Sequence, residues 1–190
     1  LYLQLAELYL AQERYEDSAS AARAYINRHA RESKAPLMHH LIIKSYAQGG
    51  FPIKVWDEKE KFVANYGTAF STHAKNDSVA GNKVEVSQWL RQYLEELSHF
   101  YYITAQKKTK ESPASNGEEA RSLYLKAGNY YRMLVSAFPA GENVGEYSFL
   151  AAESFYKSNE LEMAIIDYEH AAYNTGNHPF ALEAGYAAVL

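Results

Sequence analysis

The seven histidines are the side chains best equipped for chemistry in this 190-residue chain, and their spacing supports little of it. No H-E-x-x-H pair places two imidazoles on one helix face, and the lack of cysteine removes every thiolate metal site. His39 and His40 are neighbours, so on a helix their side chains point about 100° apart. The carboxylates Glu95, Glu96, Glu118, Glu119, Glu160 and Glu162 are numerous, but glycosidase-type hydrolysis needs two facing each other across a cleft, and their spacing does not imply that. Gly49-Gly50 lacks the Lys and Ser/Thr that complete a phosphate loop, and no G-x-S-x-G elbow or cysteine nucleophile occurs. Lys107, Lys108 and Lys110 stand near Glu111, Glu118 and Glu119, which favours a solvated connector over an anion site. We therefore expect no catalytic residue, no metal and no cofactor, and we read the histidines as surface or half-buried residues of helix faces.

The seventeen tyrosines are a different matter. Most fall at helical core spacing, where an apolar ring with a polar tip suits a half-buried seam. Adjacent tyrosines, as in Phe100–Tyr102 and Asn129–Tyr131, cannot all face one core. Tyr9, Tyr46, Tyr102, Tyr130 and Tyr156 are the candidates for contact with a peptide or partner protein, because rigid aromatics make favourable anchors. Nucleic acid is a poor partner for a chain of net charge −4.

Hydrophobic residues make up 47% of the chain and charged ones 22%, enough to fold a sizeable core. No apolar run approaches the ~18 residues that cross a bilayer, so we expect no direct membrane span. The chain opens without Met, and we expect it to be part of a longer protein, with oligomerisation possible. Without cysteine the redox compartment stays open.

The elements that must position these residues follow from a period. Leu5, Ala6 and Tyr9 recur 37 residues later as Ile42, Ile43 and Tyr46, and Tyr25 and His29 recur as Phe62 and Tyr66. In the second half Tyr124, Ala127, Tyr131 and Leu134 recur at the same offset as Leu161, Ala164, Tyr168 and Ala171. A period of this size marks stacked units whose apolar faces are covered by the next unit. Within each unit the spacing is helical, as in Leu1, Leu5, Leu8 and Tyr9, then Tyr15, Ala19, Ala22 and Ile26. Each unit is expected to be two antiparallel helices, with turns at Ala11–Arg14, Ala47–Pro52 and Lys157–Glu160.

The Leu5-Ala6-x2-Tyr9 segment, Ala127-x3-Tyr131 with Pro139, and Ala164-x3-Tyr168 resemble the tetratricopeptide repeat pattern, W-x2-L-G-x2-Y, A-x3-F and P. In the first unit Ser18 and Ala22 stand where that pattern has A-x3-F. The segment "YINRHARESKAP" (Tyr25–Pro36) is also similar to repeat endings in bacterial envelope proteins, among them outer-membrane-protein assembly lipoproteins and Tol-Pal-associated cell-division coordinators. The resemblance implies an all-α, right-handed superhelix of antiparallel helix pairs with an irregular, extended middle unit. We divide it into repeat 1 (1–34), repeat 2 (35–67), a loop (68–83), an extended repeat 3 (84–141), repeat 4 (142–178) and the first helix of a truncated repeat 5 (179–190). It further implies a non-catalytic scaffold that binds a peptide or partner protein on its concave face. The alternative is a helical accessory or dimerisation region of a larger cell-envelope enzyme or polysaccharide-export complex. A periplasmic or envelope-associated location is implied, with the cytoplasm as the alternative.

Overall fold

The computed structural model describes residues 1–67, 83–111 and 117–189. Among the described residues the secondary structure is helical throughout: α1 (Tyr2–Ala11), α2 (Tyr15–His29), α3 (Ala35–Gln48), α4 (Pro52–Tyr66), α5 (Lys83–Glu111), α6 (Gly117–Ala137), α7 (Val144–Ser158), α8 (Leu161–Glu169) continued by a π-turn (His170–Asn174), and α9 (Ala181–Ala187). The loop expected over 68–83 lies outside the described residues except for Lys83, which opens α5. Among the described residues no helix is long and apolar enough to cross a membrane. The chain falls into two compact units, Leu1–Tyr93 and Leu94–Leu190, with the division inside α5.

In the first unit α1 packs on α2, α2 on α3 and α3 on α4. Close approach depends on small side chains: Ala6, Ala19 and Ala22 are fully buried beside Met38 and Ile42. Buried hydroxyls bridge the same seam. Ser18 Oγ donates to the Ala6 carbonyl at 2.8 Å, and Ser45 Oγ lies 2.9 Å from Ser18 Oγ and 2.7 Å from the Leu41 carbonyl, so three helices share one polar contact.

The α2–α3 connection shows why the segment "YINRHARESKAP" ends a helix. Glu32 reaches back to the last turns of α2, accepting from the Tyr25 hydroxyl at 2.5 Å and pairing with His29 Nδ1 at 2.7 Å, while Tyr25 stacks on His29 at 4.8 Å. Pro36 then sits in the first turn of α3, where its missing N–H costs nothing. The start of α5 completes the unit through Val86, Leu90 and Tyr93, all buried, with Tyr93 edge-on to Phe62 at 5.1 Å.

In the second unit Leu94, Leu97, Tyr101 and Ala105 continue the buried face of α5. The segment expected as a connector from Lys107 to Glu119 is largely helical: α5 runs to Glu111 and α6 begins at Gly117, residues 112–116 lying outside the described ones. Lysines are good helix formers, and Lys107 pairs with Glu111 one turn on at 3.8 Å, so polarity alone did not break the helix. Helices α6, α7 and α8 pack in sequence order, and α9 lies on the π-turn and on α8. At the α6–α7 crossing Gly128 faces the fully buried Phe155, and a Cβ there would stand 2.9 Å from its ring.

Three helix reversals share one backbone design. Glu13, Gly50 and Asn159 adopt left-handed conformations with φ of 59°, 74° and 69°. The next residue in each, Arg14, Phe51 or Glu160, donates its N–H five residues back, to Tyr9 at 2.9 Å, Tyr46 at 3.0 Å and Phe155 at 2.8 Å. This six-to-one bond satisfies a carbonyl that the helix end leaves open. The backbone conformation is costly for Glu13 and nearly free for Gly50.

Opposite mutations should therefore move stability in opposite directions. Nothing lies within 4 Å of a Cβ placed on Gly50, so Gly50→Ala isolates the backbone effect. We expect Gly50→Ala to lower stability by about 1 kcal/mol and Glu13→Gly to raise it by a smaller amount, read as shifts in the urea midpoint. Gly128→Ala should lower it by about 1–3 kcal/mol through overpacking against Phe155.

Candidate functional site

Tyr9 and Tyr46 occupy the same place in successive helix pairs. Each is the residue whose carbonyl receives the bond that closes the turn, and each is half-buried against the core shared by α1, α2 and α3. Each ring also carries a cation: the Arg14 guanidinium lies 4.3 Å above Tyr9, and Lys54 Nζ lies 5.1 Å from Tyr46 and 4.8 Å from Phe51. Lys54 pairs with Glu16 across the two helix pairs, and that hydrogen bond raises its pKa against the opposing effect of desolvation. Tyr46, Phe51, Pro52 and Trp56 border a cleft of about 230 Å³.

The third reversal puts Phe155, and not Tyr156, in this position, with the Arg132 guanidinium 4.5 Å above the Phe155 ring. Tyr156 is rotated by one residue to the outside and is 60% exposed. Aligning Asn159 under Gly50 would have identified Phe155, but the left-handed residue is a different amino acid in each turn.

Tyr102 and Tyr130 lie on α5 and α6 of the second unit, where they belong to separate clusters. Tyr102 meets Tyr124 at 5.8 Å and Tyr131 at 6.4 Å, both edge-on. Lys157 Nζ lies 3.5 Å from its hydroxyl and also pairs with Glu153, which accepts from Tyr168 at 2.5 Å. Burial pushes the Tyr131 and Tyr168 phenols well above the ordinary range. Burial opposes the charge on Lys157, but the bond to Glu153 outweighs it and raises its pKa. Tyr130 stacks on Tyr101 at 5.8 Å, and Lys126 covers the Tyr101 ring at 4.8 Å. Tyr9 and Tyr46 thus share one core, Tyr102 and Tyr130 pack into two aromatic clusters, and Tyr156 stands apart.

The buried charge of the first unit gave no signal in the sequence. Glu58 on α4 has a side chain 4% exposed and is met by Arg23 of α2 at 3.2 Å and Lys61 at 2.7 Å. His39 is not a half-buried surface residue as expected. It is 3% exposed, packed against Phe62 and Tyr66, with Nε2 3.3 Å from Glu58. That approach is too misaligned for a hydrogen bond, so both ring nitrogens and Glu58 Oε2 are buried without one. Burial disfavours the Glu58 carboxylate, but its three basic neighbours win and hold its pKa at about 2. His40 lies flat on Trp89 at 4.1 Å, and its Nδ1 is 2.7 Å from the Tyr93 hydroxyl. Burial, helped by Lys44, lowers its pKa to about 4. Among the described residues no group of three His, Asp or Glu is placed to hold a metal ion.

A second cleft, of about 460 Å³, lies in the second unit between the end of α6, the Pro139–Gly141 turn, the start of α7 and the π-turn. Compared with known proteins, the chain matches no protein-family model, no curated protein and no solved structure.

The two perturbed groups predict acid sensitivity in two windows. An unfolded chain protonates His40 near 6.5 and the folded one near 4, so the unfolded state holds more protons between those values and stability falls as pH drops through them. Glu58 is depressed from 4.5 to about 2, so its contribution is complete above 4.5 and is lost as pH falls to 2. Urea midpoints of the wild type should fall in both windows. His40→Phe should flatten the first and Glu58→Gln the second.

Proposed function

We propose that the chain is a non-catalytic helical-repeat scaffold of tetratricopeptide type, stacking its helix pairs into a superhelix that holds a peptide or partner protein on the face made by the first helices. The observation that carries this reading is the recurrence of one turn design, with a left-handed residue and a six-to-one bond, after α1, α3 and α7. A shared turn sets each second helix against its first in the same way, which is what stacking identical units requires. Within the first unit the exposed residues of the first helices, Leu8 of α1 and Lys44 of α3, then supply the contact surface, and in the second unit the exposed aromatic of a first helix is Tyr156 of α7. Tyr9 and Tyr46, half-buried in the core of the first unit, are the supporting layer there, and Tyr102 and Tyr130 are half-buried within the second unit.

A second reading, a helical accessory or dimerisation region of a larger envelope protein, is favoured by one observation. Helix α8 exposes Leu161, Ile165 and Ile166 while burying Asp167, an inversion suited to a helix that docks on another domain.

Panning a displayed peptide library against the chain tests the first reading. An enriched peptide that binds the first unit should bind Leu8→Ser and Lys44→Glu variants at least roughly tenfold more weakly and should ignore Ile53→Ser, an exposed change on the second helix α4. Loss with Ile53→Ser alone would move the site to the other face. Failure to enrich any peptide would sink the peptide-binding form of the proposal.

A further inference from the structure

The π-turn at the end of α8 brings His170 and Asn174 to one wall of the 460 Å³ cleft. Such turns give up regular helical bonding and recur where a side chain must be re-aimed for function. The volume suits a small ligand. None of the nine residues lining it is Lys, Arg, Asp or Glu, and its polar side chains are Ser136, His170, Asn174 and Thr175.

The hydrogen bonds behind the wall determine what it offers. Ser148, almost fully buried, donates to the Val144 carbonyl at 2.8 Å and lies 2.9 Å from His170 Nδ1. A hydroxyl has one proton, so with that proton on Val144 the imidazole must donate from Nδ1, and the neutral ring keeps its lone pair on Nε2. Thr175 commits its proton in the same way, to the Ala171 carbonyl at 2.9 Å, and its oxygen remains an acceptor. Ser136 and Asn174 have protons to give. Acceptors and donors on one uncharged lining complement a group that carries both an N–H and a carbonyl. A charged ligand would give up hydration there with no counter-charge to replace it.

We propose that this cleft is a binding site for a small uncharged amide, whose N–H is received by His170 Nε2. The site is separate from the first-helix face and stands whether or not that face binds peptide. Ser148 is a positioning residue: it acts by fixing the tautomer and orientation of His170.

Nitrogen-15 NMR of the intact chain tests both parts, with N-methylacetamide as the probe and acetate as the charged control. His170 should show the Nδ1-protonated tautomer, and its Nε2 signal should move saturably with N-methylacetamide and not with acetate. His170→Ala should abolish saturable binding, and Ser148→Ala should weaken it about fivefold by freeing the ring to take the other tautomer. If His170→Ala does not fold, Ser148→Ala and Thr175→Val carry the comparison. An Nε2-protonated ring, a shift that never saturates, an equal response to acetate, or binding unchanged in the variants would each overturn the proposal.

Discussion

Reversing the chain within three residues, at a fixed angle, is the constraint on which the helix pairs depend. A helix that ends in a left-handed residue delivers the following segment at one orientation, because the six-to-one bond leaves little freedom to swing. From that follow the placement of Ala6 against Ser18, the close contact of α1 and α2, and the position of Tyr9 and Tyr46 beneath their turns. The side chain at the left-handed position is secondary, since Glu13, Gly50 and Asn159 all reach it. Glutamate does so only because the packing of the helix pair outweighs a local backbone cost.

Packing of the pairs then sets what polar groups can do inside them. The carboxylates of Glu58 and Asp167 are both largely buried, yet they are shifted in opposite directions. Glu58 has three basic neighbours drawn from three helices, and together they exceed the cost of burying its charge. Asp167 has Arg132 at 2.9 Å as its ion-pair partner, and burial prevails, raising its pKa. The number of basic side chains that converge on a buried acid, more than its depth, decides whether it stays charged at acid pH.

The helical class and the paired turns were legible because they rest on local spacing. Leu5 and Ile42, or Tyr9 and Tyr46, recur at one offset that composition does not disguise. The groups that depend on register between helices left no such trace. Arg23, His39 and Glu58 come from three helices with no shared motif, and only the packing of α2, α3 and α4 brings them together. Tyr156 shows the same limit at short range. Nothing in the sequence separates it from its neighbour Phe155, yet one residue turns a helical side chain by about 100°, so that Phe155 is buried and Tyr156, the candidate contact, is exposed.

The π-turn is illegible for a related reason. A single extra residue in a helix has no propensity signature, and "EHAAYN" reads as ordinary helix. Its effect appears only in three dimensions: the widened turn breaks the regular helical bonding, and His170 and Asn174 line the same cleft. Ser148 then adds what the turn cannot, by holding the imidazole through its Nδ1. A side chain placed by a backbone irregularity and held by a buried hydroxyl has its ring nitrogen oriented before any ligand arrives, which is the condition that the proposed amide site needs.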